Sequence, residues 1–343
     1  MPRASSGHPS QRPRPQAGAV LGLWPPRPPQ KAALALAGLT CLCLLNRESL
    51  GVYRAGLCWL SLWVFQQVFQ LDHLPRRSLY AALAYRLMSV CLGFFVSATA
   101  LNFYILFELA LLPTLFIVLL FGYQPEKLRA GQYILLYTGL ASLPLLLSLL
   151  ILSPYLAWLA VPGVSYLGVT LTLGFRVKTP LYLVHIWLPK AHVEAPVAAR
   201  IVLAGVLLKL GSFGLLVFCP LLLHPVLSLY LAVSLLGAIA CRRICARQWD
   251  AKRLIAFSSV VHIGVVTVGV VVGSELGYLC AFIMIVAHGV CSPLLFGVAY
   301  RFYLRRHSRL LASNRGQLAS PVATLMVFLL LAVNIGVPPF LNL

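Results

Sequence analysis

Glu108 stands inside VSATALNFYILFELALLPTLFIVLLF, far from either end of an apolar run. An ionised group at such depth costs about 2.5–3.5 kcal/mol on insertion scales, so its presence points to a partner and to transport, or else to a carboxyl held neutral in a helix interface. Lys178 lies in GFRVKTPLYLVHIWLPKAH, two residues before Pro180. Proline lacks the N–H that would donate to the carbonyl of Arg176, and it pushes Thr179 out of α geometry, so the helix is expected to break beside the lysine. Freed carbonyls at membrane depth are tolerated where they line a wet cavity, which makes a water-accessible site the expectation here; the alternative is a lysine snorkelling toward a helix end. Lys209 lies in PVAARIVLAGVLLKLGSFGLLVF, about twelve residues from either membrane face, too deep to snorkel. Gly205 and Gly211 beside it permit close helix approach, and Ser212 could share its hydrogen bonding. His262 in SSVVHIGVV and His288 in IVAHGVCSPLLF lie in two further apolar runs, with Ser258, Ser259 and Ser292 at helical spacing. They could extend a hydrogen-bonded chain, or each could be a satisfied packing residue.

The chemistry these groups suit is proton relay, because a lysine taken out of water holds its proton less tightly and can exchange it near neutral pH. Glu108 could tune the exchange. At about 7 Å from Lys178, and an effective dielectric of about 20, its charge would contribute roughly 2.4 kcal/mol. Moving charge against a membrane potential costs about 2.3 kcal/mol per charge per 100 mV. No GxGxxG or Walker motif follows a plausible strand, so no nucleotide site is visible. The nine cysteines are scattered, and the pairs Cys41/Cys43 and Cys241/Cys245 lack zinc or iron–sulfur spacing, so no metal site is expected. The driving energy is expected to arrive from a partner.

These residues must be carried by membrane helices. The chain is 60% hydrophobic and 10% charged with mean hydropathy +0.90, more apolar surface than a soluble core could bury. Apolar runs recur at the length of roughly 20 residues that crosses about 30 Å of hydrocarbon. Their lack of strict alternation argues against a transmembrane β-barrel. The expected fold is all-α, a polytopic transmembrane bundle of about ten or more spans with broken helices in a lipid bilayer.

A net charge of +20 would suggest nucleic acid in a soluble protein, but here the basic residues lie between apolar runs and no nucleic-acid partner is expected. Loops 122–130, 190–200, 242–253 and 301–315 carry nearly every Lys and Arg from the middle of the chain onward, while 154–162, 219–225 and 273–276 carry none. That alternation predicts spans at about 131–153, 163–189, 197–218, 224–241, 254–272 and 276–300, with the basic loops on the inner side. Residues 1–31, rich in Pro, Arg and Ser and free of acid, read as a disordered or transit-like basic tail ahead of a membrane domain over 32–343.

The stretch KTPLYLVHIWLPKAHVEAPVAARIVLAGVLLKLGSFG (178–214) closely resembles the signature segment of the NADH-ubiquinone oxidoreductase chain 4 family. FELALLPTLFIVLLFGYQPEKLRAGQYILLYTGLASLPLL (107–146), QWDAKRLIAFSSVVHIGVV (248–266) and VAHGVCSPLLFGVAYRFYLRRHSR (286–309) agree in order, so that the likeness covers about residues 86–343. The resemblance implies an antiporter-like, proton-translocating subunit of respiratory complex I, in which Glu108 and Lys178 form an ion pair, Lys209 continues the relay, and His262 and His288 are its membrane histidines. It implies other complex I membrane subunits as partners. It also implies that this chain binds no cofactor, NADH, flavin, iron–sulfur clusters and ubiquinone acting in partner subunits. KAHVEAP is similar to the animal mitochondrial form, which implies a multi-pass protein of the mitochondrial inner membrane, with His192 and Glu194 structural or gating in a loop. The family pattern continues past a helix break, here Pro338 and Pro339, into a stretch with a Glu near the proton exit and further helices; relative to it, 32–343 is expected to be C-terminally truncated. Two other readings follow from the same residues: a sodium/proton antiporter subunit, and a non-transporting structural piece.

Overall fold

The computed structural model describes residues 49–70, 77–122, 125–152, 165–219, 224–314, 316 and 321–338. The basic tail 1–31, Cys41, Cys43, the neutral loop 154–162 and Pro339 lie outside the described residues.

The described chain is helical throughout, joined by short turns. Helices α1 (Ser49–Phe69) and α2 (Arg77–Val96) form an antiparallel pair, followed by the short α3 (Ala100–Leu109) and α4 (Leu111–Phe121), which together make one span. The next span begins as α5 (Lys127–Ile134), passes through a π turn at Leu135–Gly139 and continues as α6 (Leu140–Leu152). Then come the broken pair α7 (Ser165–Lys178) and α8 (Trp187–Glu194). The central span is α9 (Val197–Val202), a π turn at Leu203–Leu207, and α10 (Leu208–Phe218). The long helices α11 (His224–Ala246), α12 (Ala251–Val272) and α13 (Glu275–Arg306) and the shorter α14 (Pro321–Ile335) complete the bundle.

Among the described residues, seven helical stretches are long and apolar enough to cross a membrane. They differ in how much of themselves they hide. The span Val197–Phe218 is 89% buried against 22% for Leu227–Ala246, so the helix that carries Lys209 is the axis of the bundle and α11 lies at its edge. Leu229, Leu235, Leu236 and Ile239 accordingly face outward, as lipid-facing positions should.

Spans expected at 197–218, 224–241, 254–272 and 276–300 appear with starts within three residues and with the last three ends shifted by up to six residues at most. The span expected over 163–189 is broken beside Pro180, as expected, and differs from the expectation in how it ends. Helix α7 stops at Lys178, eight residues follow outside any α-helix, and helix resumes at Trp187 and runs to Glu194, so KAHVE is helical rather than a loop. Trp187, Leu188, Ala191 and His192 are all buried, and tertiary packing rather than the charge of Lys190 decides the local structure.

The four basic loops come together at one end of the bundle. Ala251 N–H donates to the carbonyl of Arg309 (3.2 Å) and Leu311 N–H to that of Trp249 (3.0 Å), which ties 242–253 to 301–315. Asp250 caps α12, accepting from Lys252 N–H at 3.1 Å. At the opposite end, the turn between α12 and α13 is uncharged up to Glu275, with Gly273 at φ +71 and Ser274 capping α13.

Candidate functional site

Lys178 ends α7, and the break expected at Pro180 follows it directly. The carbonyls released there are taken up by protein donors. Thr179 N–H donates to Phe175 (2.8 Å), Leu181 N–H (2.9 Å) and Thr179 Oγ1 (3.1 Å) to Arg176, and the indole of Trp187 to Val177 (2.9 Å). Leu183 turns the chain at φ +81, a conformation that costs a branched residue about 1–3 kcal/mol and persists only where the surroundings over-determine it.

The Lys178 ammonium is thereby held against α3. Its Nζ lies 3.5 Å from Glu108 Oε1, stands 3.3 Å from the centroid of the Phe107 ring and donates to the Phe107 carbonyl. The lysine side chain is 9% exposed and the glutamate 23%, so the pair has one dry and one wetter member. A cavity of about 30 Å³ adjoins Lys178, lined also by Thr114, Thr138, Leu203 and Leu207. That is room for about two waters.

Leu203 and Leu207 bound the π turn of the central span, and this turn holds the second lysine. A π turn shifts the backbone bonding by one residue; here Leu208 N–H reaches Leu203 O. Lys209 Nζ donates to the Ala204 carbonyl at 2.6 Å and meets His288 Nδ1 at 2.9 Å. Both side chains are 2% exposed. Across the histidine, Nε2 lies 3.2 Å from Ser259 Oγ, and Ser259 in turn lies 3.0 Å from the Ile255 carbonyl. A hydroxyl that gives its proton to Ile255 accepts from His288 Nε2–H, which leaves Nδ1 as the acceptor for Lys209; the tautomer is assigned from this network. His262 stands 5.4 Å from His288, ring centroid to centroid, and adjoins Asn334 of α14.

All five residues expected to form the relay are therefore placed along the central span and its neighbours, in two contact groups: Glu108 with Lys178, and Lys209 with His288 and His262. The two groups approach through α10 and the broken helix, where a Cβ on Gly211 would stand 2.7 Å from Thr179 Cγ2 and 2.8 Å from the Phe175 carbonyl. Gly211 thus serves the close approach expected of it. Ser212, which could have shared in the hydrogen bonding of Lys209, donates instead to Leu208 O at 3.2 Å, and Ser259 joins His288 across to the neighbouring helix.

His192 is fully buried and stacked on Phe296 (4.7 Å, 14°), with no hydrogen-bond partner for either ring nitrogen among the described residues. Glu194, 7% exposed, lines a cavity of about 540 Å³ at the basic end. Both belong to α8. Pro338 is exposed and follows the end of α14, where Gly336 turns at φ +81. Sequence reasoning missed the Ala204 carbonyl, Asn334, and Arg176, a second buried cation on α7 whose guanidinium packs on the Tyr230 ring. Of these, only Arg176 carried a signal in the sequence, as a charge inside an apolar run. Among the described residues, no three His, Cys, Asp or Glu side chains are grouped to hold a metal ion.

Residues 97–343 match the family described as NADH:quinone oxidoreductase/Mrp antiporter, transmembrane. NADH-ubiquinone oxidoreductase chain 4 of Ceratitis capitata is 43% identical over 260 residues, 73% of this chain and 58% of that protein. Its namesake in Lumbricus terrestris is 36% identical over 346 residues, 91% of this chain and 76% of the relative. The chain spans 56–59% of the length of the Ceratitis, Aedes and Albinaria relatives it matches. The fold is shared with a chain of respiratory complex I from Thermus thermophilus (TM-score 0.76, 24% identity, 94% of this chain and 76% of that one). It is shared likewise with a chain of the Mrp complex from Dietzia sp. (TM-score 0.74, 17% identity, 91% and 65%). With its helical bundle, its broken helix beside Lys178 and these matches, the chain belongs to the NADH:quinone oxidoreductase/Mrp antiporter family, among its NADH-ubiquinone oxidoreductase chain 4 members.

Proposed function

We propose that this chain carries protons across the mitochondrial inner membrane as an antiporter-like subunit of NADH:ubiquinone oxidoreductase. Electron transfer from NADH to ubiquinone takes place in partner subunits and supplies the energy. Residues 32–343 are the translocating domain in this reading. Glu108, Lys178, Lys209, His288 and His262 are the relay, Pro180 the break that seats Lys178, and His192 and Glu194 the structural or gating pair beside it.

The observation that carries the reading is Lys209 anchored between the Ala204 carbonyl and His288 Nδ1. A buried ammonium with one fixed acceptor and one titratable acceptor can hand its proton only to the histidine. His288 then holds protons on both nitrogens and can release the one on Nε2 toward Ser259. At the other end, Glu108 at 3.5 Å favours the charged form of Lys178, an attraction that halves at twice the distance. Swinging the carboxylate away therefore releases the Lys178 proton toward the small cavity and the central span.

The test is NADH-driven acidification by membrane vesicles containing the chain in its complex. Acidification that depends on NADH and ubiquinone and is indifferent to sodium supports the proposal. Sodium-dependent transport without NADH oxidation would assign the chain to antiport instead, and NADH-driven acidification unchanged when the chain is removed would make it a structural piece.

A further inference from the structure

The cavity of about 540 Å³ lies where the basic loops gather, at the ends of the spans that begin at Lys127 and Ala251 and just ahead of the one that begins at Val197. By the distribution of basic residues this is the level of the membrane–water interface. Its volume falls within the range that holds small organic ligands.

Its lining is of mixed charge. Arg129, Lys190 and Arg253 supply cations, Glu126 and Glu194 carboxylates. A simple anion would meet two carboxylates there, and a simple cation three basic groups. A ligand with a phosphate at one end and an ammonium at the other satisfies both sets. Arg forks suit the phosphate, and a primary ammonium has three N–H donors for the carboxylates.

Burial, and then the charge of Glu126, hold the Glu194 carboxyl above its usual range against the opposing charges of Arg309, Lys252 and Arg200, and Glu126 and Glu194 both line this cavity. The cavity also opens onto apolar surface. Ile186 on its rim is 45% exposed, Leu183 three residues earlier 68%, and Leu136, one turn beyond the lining residue Tyr133, 53%. Acyl chains have somewhere to lie.

We propose that this cavity binds the head group of an ethanolamine-type phospholipid, its phosphate among Arg129, Lys190 and Arg253 and its ammonium between Glu126 and Glu194. The inference goes beyond proton carriage and does not depend on it.

The test uses the full chain in its native membrane, exposed to vesicles of phosphatidylethanolamine, phosphatidylcholine or phosphatidylglycerol, each carrying a diazirine next to the glycerol. After photolysis the labelled peptides are mapped. Phosphatidylethanolamine is expected to label segments 126–136 and 183–190 most strongly. Arg129→Gln is expected to lower that label about tenfold, the loss of one charge-assisted hydrogen bond, and Glu126→Gln to erase the preference over phosphatidylglycerol. Both side chains are exposed, so these variants test the site without touching the core. Equal or stronger labelling by phosphatidylglycerol in the unsubstituted chain would overturn the proposal. So would labelling abolished by inorganic phosphate, or cross-links to a neighbouring subunit in place of lipid.

Discussion

Lys209 Nζ and His288 Nδ1 meet at 2.9 Å on two different helices, and Gly289, next to that histidine, leaves the room they need: a Cβ there would stand 3.1 Å from Lys209 Cε and 2.5 Å from Leu60 Cδ2. The contact is the titratable one of two acceptors that hold this buried cation, the Ala204 carbonyl being the other. His288→Asn offers an oxygen in its place but no second titratable nitrogen, so it is expected to keep the fold and abolish relay. His288→Leu is expected to lose both, with stability falling by about 1.5–3 kcal/mol for the missing hydrogen bond to a charged group. Proton translocation and thermal unfolding, measured on the two variants together, separate these roles.

Glu108→Gln keeps the shape of the side chain and removes its charge. Because the glutamate is partly exposed, the expected loss of stability is about 1 kcal/mol or less. The expected effect on transport is larger, since Lys178 then has no charge to respond to. Chemical denaturation alongside NADH-driven acidification checks the split, and equal losses in both would mean that the pair is structural.

Gly211 and Gly139 make a matched pair of substitutions. An added Cβ at Gly211 meets the backbone of the broken helix, at 2.8 Å from Phe175 O and 3.0 Å from Thr179 N, and neither atom can yield by rotating. Gly211→Ala is expected to destabilise by about 1–3 kcal/mol. At Gly139 nothing lies within 4 Å, and Gly139→Ala is expected to be neutral or to stabilise by about 0.5–1 kcal/mol. Unfolding midpoints in one detergent compare them.

Glu194 lies ahead of the central span, and its carboxyl titrates above the ordinary 4.5, through burial first and the charge of Glu126 second. The folded state then binds more protons than the unfolded one between the two values. Its contribution to stability is complete below the ordinary value and is lost as pH rises through the raised one. Isotope-edited infrared spectroscopy is expected to find the carboxyl protonated above pH 4.5, and Glu126→Gln to move the titration down. A titration at or below the ordinary value would contradict the geometry.

The residues that carry the proposed chemistry were legible because a charge inside an apolar run has few other reasons to be there, and the break at Pro180 because its cause is two residues from the lysine. What surrounds them was not legible. A π turn has no composition of its own, so nothing in LAGVL announces that the Ala204 carbonyl will face Lys209. Ser259 is one helical turn from His262, yet it serves His288, because the neighbouring helix decides which face it turns to. Asn334 is far along the chain from His262, and only the docking of α14 brings them together. KAHVE read as a loop on its charges, but its apolar residues meet the core and keep it helical. Local rules placed the ionisable groups; tertiary packing chose their partners.

The most direct measurement of the central claim is the number of protons translocated, and the rate of NADH oxidation, in vesicles whose complex carries Lys209→Met. Met keeps the length and apolar bulk of the lysine stem while removing the charge that Ala204 and His288 hold. If Lys209 relays protons, translocation falls sharply in complexes that assemble fully, either per NADH oxidised or together with a slowed oxidation. Translocation and oxidation that both match the unsubstituted complex would remove Lys209 from the path and, with it, the relay as described.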